Sequence, residues 1–182
     1  MRTLLLRLVG STPILLHQIS KHQRREEIAS SARRGSMTDE AMEVMSKEGD
    51  GNPTVPVSWL WDALRVGCSR ITSNGKQLSF VALRSLINLP TDQIRIKRSD
   101  GGDPVWTLYK SVQHMAPKSK KMVLVIAPMF KDWVIEFPVV VYGEFPDDSL
   151  LLGIFYEAGK TGIGLFHPPK KHFGQFKTLI LQ

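Results

Sequence analysis

Met122-Val123-Leu124-Val125-Ile126-Ala127, then Trp133-Val134-Ile135-Glu136-Phe137-Pro138-Val139-Val140-Val141-Tyr142, then Leu150 to Ala158 after Phe145-Pro146-Asp147-Asp148-Ser149, decide the fold. The first two runs are apolar and rich in β-branched residues over lengths that suit strands. The Phe145–Ser149 segment brings capping residues and negative charge to the place where a helix from Leu150 to Ala158 begins. Next come Gly159-Lys160-Thr161-Gly162-Ile163-Gly164 and Pro168-Pro169-Lys170-Lys171-His172-Phe173-Gly174-Gln175-Phe176, and the chain ends in the apolar run Thr178 to Leu181. The order over this half is strand, strand, helix, strand.

Working back toward the N-terminus, Arg2 to Val9 alternates as a strand and Gly10-Ser11-Thr12-Pro13 breaks it. Gln18 to Asn52 is polar and charged, with Arg24, Arg25, Arg33 and Arg34, and reads as a long arm or loop with helix formers over Glu40 to Met45. Val55 to Arg65 opens a helix: Ser58 stands at the N-cap, Asp62 lies near the positive end of the dipole, and Leu60, Leu64 and Cys68 form the apolar stripe. Gln77 to Leu89 is a mixed apolar stretch closed by Pro90. Ile94-Arg95-Ile96-Lys97-Arg98 alternates as a half-exposed strand with a basic outer face, Asp100 to Pro104 is a turn, and Val105 to Tyr109 is a short strand. Setting aside insertions at about 18–54 and 90–121, with Met122–Ala127 and Trp133–Tyr142 as the second and third strands, leaves βαββαβ. That is an α+β, ferredoxin-like (RRM-like) antiparallel sheet, a single domain over residues 1–182. Two helices would cover one sheet face and leave the other open for binding, the face that RNA-recognition modules use.

The 182 residues suit one generous domain, and an apolar fraction of 42% is enough for a packed core. A formal net charge of +7 favours a polyanionic partner, nucleic acid before membrane. The single Cys68 excludes an internal disulfide framework and a cysteine-based zinc cluster within one chain, and fits a reducing compartment. Arg7 interrupts the apolar N-terminal stretch and no small-residue cleavage pattern follows it, so the expectation is a cytoplasmic protein without a secretory signal or membrane span.

The chemistry concentrates in basic, glycine-containing segments. After Glu157 there are four glycines, four lysines and no carboxylate. Glycine lets a backbone approach a phosphate closely, and lysine supplies long-range attraction. The segment Lys110 to Lys131 holds Lys118, Lys120 and Lys121 and no acid. Taken together, these clusters point to a phosphate-binding surface. The residues expected to carry it are Ser58, Arg65, Lys118, Lys120, Lys121, Lys160, Gly162, Gly164, Lys170, Lys171, His172 and Gly174.

Two segments resemble the RAMP superfamily of CRISPR effector proteins, whose domains are ferredoxin-like. Pro56, Ser58, Leu60, Ala63, Leu64 and Arg65 resemble the opening of the first helix in the guide-RNA-binding backbone subunits. Val57 stands where that family has glycine, and Trp59 and Trp61 replace its small or lysine residues. The terminal loop is similar at Gly162, Gly164, Gly174 and Phe176. The opening Thr12-Pro13 to His17, Asp132-Trp133 and the ending also resemble uncharacterised short proteins of phages and mobile elements. The resemblance implies single-stranded guide RNA as ligand, held by its backbone, with Ser58 and the glycine loop near it, a thumb-like basic insertion, and membership of a protein complex or homo-oligomeric filament.

Three other functions use the same features: a phage single-stranded DNA-binding or annealing protein, a metal-independent RNA endonuclease using His17, and a mimic of a host complex subunit. RNA-processing enzymes of the superfamily place a histidine after the first strand, roughly where His17 lies. The histidines at 17, 22, 114, 167 and 172 are scattered, so no catalytic residue is assigned. Asp39 and Asp50 fall in the long insertion where target-cutting relatives carry an aspartate, but neither has a matching motif. No cofactor or metal is expected.

Overall fold

The computed structural model describes residues 1–17, 36–73, 76–114, 122–142, 148–167 and 171–181. Along the chain come β1 (Arg2–Gly10), β2 (Ile14–Leu15), α1 (Met37–Val44), β3 (Thr54–Pro56), α2 (Val57–Arg70), β4 (Thr72–Ser73) and β5 (Lys76–Gln77). There follow α3 (Phe80–Leu86), β6 (Ile87–Asn88), β7 (Gln93–Lys97), β8 (Trp106–His114), β9 (Met122–Phe130), β10 (Val134–Val141), α4 (Asp148–Thr161) and β11 (Phe176–Leu181).

The central sheet is antiparallel and runs β11-β1-β10-β7-β3, with β6 pairing the far end of β10. β1, α2, β7, β10, α4 and β11 are the βαββαβ series, and their spatial order (fourth, first, third, second strand) is that of a ferredoxin-like α+β domain. β3 adds an edge strand beside β7.

The identity of the second strand corrects the sequence expectation. Met122–Phe130 lies outside the central sheet; it pairs along its whole length with β8 and, near its end, with β2. Burial explains the exchange. In β7, Ile94 and Ile96 are buried while Arg95 and Lys97 are exposed, the pattern of a strand covered on one face. The continuous apolar run of β9 needs cover on both sides, and it receives it: Ile126, Ala127 and Phe130 are buried, and α1 packs against the strand. The second insertion therefore begins after Lys97 and takes in the whole β8–β9 hairpin, and residues 93–97 belong to the central sheet.

Leu6 and Leu8 of β1, Ile135, Phe137 and Val139 of β10, and Ile94 and Ile96 of β7 form the sheet side of the core. Leu60, Leu64 and Cys68 of α2 and Leu151, Ile154 and Phe155 of α4 supply the helix side, with the i, i+4 spacing that puts them on one face. Polar groups buried at the sheet edge are satisfied among themselves: Ser46 Oγ lies 2.9 Å from Thr54 Oγ1, which donates to Gln93 Oε1 at 2.9 Å. The helix-free face presents Leu5, Arg7, Glu136, Lys97 and Leu179, with Glu136 held between Arg7 (3.4 Å) and Lys97 (3.6 Å). Within the described strands β1, β7, β10 and β11 no aromatic ring lies on this face. Among the described residues no helix is long and apolar enough to cross a membrane.

Candidate nucleic-acid interface

The loop that leaves α4 is laced to the segment joining β1 to β2. The Gly162 N–H donates to the Ala158 carbonyl (2.9 Å), Ile163 N–H to Gly174 (3.0 Å), Gly174 N–H to Pro13 (2.8 Å) and Leu165 N–H to Leu15 (3.0 Å). Gln175 N–H donates to Thr12 Oγ1 at 2.9 Å, and the indole N–H of buried Trp133 donates to the Thr12 carbonyl at 2.8 Å. Gly162 and Gly174 have positive φ, as a loop requiring glycine should (76° and 69°). What fills the missing side chains is the protein itself. A Cβ on Gly174 would stand 1.7 Å from the Ile163 carbonyl oxygen, and one on Gly162 2.8 Å from that of Phe173. The N–H groups of Gly162 and Gly174 are therefore spent inside the fold and are not free to bind an anion.

Basic and aromatic side chains gather where the loop meets the β8–β9 hairpin. The Lys171 ammonium donates to Tyr109 Oη at 2.8 Å and Ser111 Oγ at 3.1 Å, and lies 4.8 Å from the centre of the Phe166 ring and 5.5 Å from that of Tyr109. Phe173 meets Tyr109 edge to face at 5.3 Å, and Phe166 meets it at 6.2 Å. Phe166 has φ 58°, a left-handed conformation that costs a non-glycine residue roughly 1–2 kcal/mol. The surrounding contacts hold it there. His172 is exposed beside this cluster. Aromatic rings stack unpaired bases and lysines pair phosphates, so this cluster holds both kinds of group.

Lys160, in the last turn of α4, is bonded to Glu157 at 2.5 Å and lies 4.4 Å from the Tyr156 ring centre. The Glu157 hydrogen bond raises its pKa and keeps the ammonium charged. Ser58 and Arg65 are exposed on α2, two turns apart on one stripe. Ser58 is not the N-cap. β3 runs straight into α2, Pro56 takes that position, and the Val57 N–H is satisfied by the Asp92 carbonyl at 2.9 Å, a group remote in sequence. Lys118, Lys120, Lys121 and Lys170, like Arg24, Arg25, Arg33 and Arg34, lie outside the described residues.

The remaining candidates occupy structural places. Asp39 accepts from the Ser36 N–H in a capping box at the start of α1. Asp50 accepts from the Asn52 N–H and side chain and pairs with Arg95, and these partners hold its carboxyl below the ordinary range, the Asn52 backbone bond first. Among the described residues no group of three metal-ligating side chains comes together. His17 is half-buried just after β2. The Leu165–Leu15 bond lays the segment carrying His167 beside that of His17, a juxtaposition the sequence did not indicate.

Tyr109, Ser111 and Phe166 were not anticipated. Their only sequence signal is an aromatic at each end of two basic segments, Tyr109 before Lys110 and Phe166 before Lys170-Lys171.

No protein-family model matches the chain, and no curated protein matches its sequence. Solved structures do match its fold. One is a chain of the cryo-EM structure of the Type III-B Cmr-beta complex bound to cognate target RNA. The similarity has a TM-score of 0.58 at 11% identity and covers the whole of the present chain. The present chain spans 60% of that neighbour's length.

Proposed function

We propose that this protein binds single-stranded RNA, chiefly through its backbone, as a RAMP-like subunit of a CRISPR-type ribonucleoprotein. The observation that carries this reading is the whole-chain likeness to a chain of an RNA-bound Type III-B complex. A net charge of +7 and the lysine–aromatic seam supply the physical means.

In this reading Lys160, Lys170, Lys171 and His172 draw in phosphates at the terminal loop, and Lys118, Lys120 and Lys121 extend the charge along the hairpin insertion. The rings of Tyr109, Phe166 and Phe173 offer a surface for an unstacked base. The glycines Gly162, Gly164 and Gly174 serve the site by shaping the loop that carries these groups. No step requires a metal or a covalent intermediate.

The test is competition between an RNA and the DNA of the same sequence for the purified protein. Preferential retention of RNA supports the proposal. Equal or tighter binding of DNA would favour the annealing-protein alternative, since 2′-hydroxyl contacts would then contribute nothing.

A further inference from the structure

α2 and α3 exchange two arginine–aromatic pairs. Trp61 and Arg65 are one turn apart on α2, and Phe80 and Arg84 one turn apart on α3. Each arginine covers the ring of the other helix: the Arg84 guanidinium carbon lies 5.1 Å from the Trp61 ring centre, and that of Arg65 lies 5.2 Å from the Phe80 ring centre. The rings themselves meet edge to face at 6.1 Å. Both are half-buried against the core, while both arginines are exposed beside Val81, which is 77% exposed.

Fastening α3 to α2 needs only the ring contact. The guanidiniums add something a fastening does not use. A guanidinium stacked on a ring turns its rim of N–H donors outward, already oriented for a planar or tetrahedral anion. Arg65 shares its charge with Asp62 at 3.3 Å. Arg84 has no carboxylate within ion-pair distance among the described residues, and it stands exposed over the Trp61 ring. Ser58 lies two turns before Arg65 on the same exposed stripe. Two arginines against the one carboxylate of Asp62 leave this face net positive, complementary to a polyanion.

We infer that the α2–α3 face is a second contact for the phosphate backbone of single-stranded RNA, with Arg84 the principal residue and Arg65 beside it. This rests on the RNA-binding reading above, and extends the contact from the terminal loop to the helical side of the domain. Trp61 and Phe80 act as the supports that hold the two guanidiniums.

The experiment has two arms. In the first, binding of a labelled single-stranded RNA to wild type, Arg84→Gln and the Arg65→Gln/Arg84→Gln pair is titrated across salt concentrations, with thermal melts alongside. Each lost phosphate contact should reduce the slope of log affinity against log salt by about 0.7. A folded double variant with the wild-type slope overturns the inference while leaving the RNA reading intact. Wild type without salt-dependent RNA binding overturns both. In the second arm, wild-type protein is cross-linked to the same RNA by ultraviolet light and the adducts are mapped. Adducts on the peptides containing Trp61 or Phe80 support the contact, and adducts confined to other segments refute it even if the variants do not fold.

Discussion

The Lys171 ammonium donates to the Tyr109 phenol oxygen at 2.8 Å, joining the terminal loop to the β8–β9 hairpin across 62 residues of chain. The bond, the second donation to Ser111 and the two rings make this lysine a tie between two elements as well as a charge. Lys171→Met, which keeps the apolar stem, should cost about 1–2 kcal/mol, and Tyr109→Phe about 0.5–1.5 kcal/mol. Because the two residues share one bond, the double variant should cost less than the sum, which chemical denaturation of the four proteins measures. Strict additivity would show that the tie does not operate.

The terminal glycines make a sharper demand on stability. Gly174→Ala would force a methyl onto the Ile163 carbonyl, whereas Gly101, at φ 84°, has nothing within 4 Å of the added atom. Both substitutions share the left-handed penalty of roughly 1–2 kcal/mol. Gly174→Ala should add strain on top and lower the melting temperature by several degrees more than Gly101→Ala, at roughly 2–4 °C per kcal/mol for a chain of this size. Equal melting temperatures would mean that the loop yields easily and that its packing does not fix its shape.

Much of the fold was legible because period-two alternation and helix-start residues are local signals. β1, the Ile94–Lys97 strand, α2, α4 and β11 each carry one. The assignment of the second sheet strand was not legible, because β7 and β9 both read as strands and only the source of their cover separates them. Ser58 has the local pattern of an N-cap but is not one, for a related reason: the group that satisfies the first N–H of α2 is the carbonyl of Asp92, which no local pattern places there. At the candidate site, the basic residues were visible, but Tyr109 and Ser111 join them only through tertiary contact. That the space beside Gly162 and Gly174 is filled by the protein's own carbonyls, and not left for a phosphate, appears only in three dimensions.

Cys68 packs in the core between α2 and the sheet, and burial pushes its thiol up to about 11. Its folded pKa lies above the ordinary thiol value of 9.0, so its contribution to stability is fully present below pH 9 and is lost as pH rises through about 11. In native protein near neutral pH the thiol should react with Ellman's reagent only as fast as the protein opens, and rapidly in denaturant. Fast stoichiometric labelling of the folded protein would contradict this burial.

RNA should survive incubation with the protein, with or without magnesium, if its proposed role is to hold an RNA backbone and not to cut it. Gel analysis of hairpin and linear RNAs checks this. Discrete products that disappear in His17→Ala would instead assign catalysis to the segment after β2.

The central claim is that a positively charged seam and its flanking lysines hold an RNA backbone, and the most direct measurement is the salt dependence of binding. A labelled single-stranded RNA titrated with protein at several salt concentrations should give log affinity falling linearly with log salt. The slope should be about −2 to −4, or roughly 0.7 per neutralised phosphate over a few lysine contacts. Folded protein that binds no RNA, or binds it with an affinity indifferent to salt, would contradict the account.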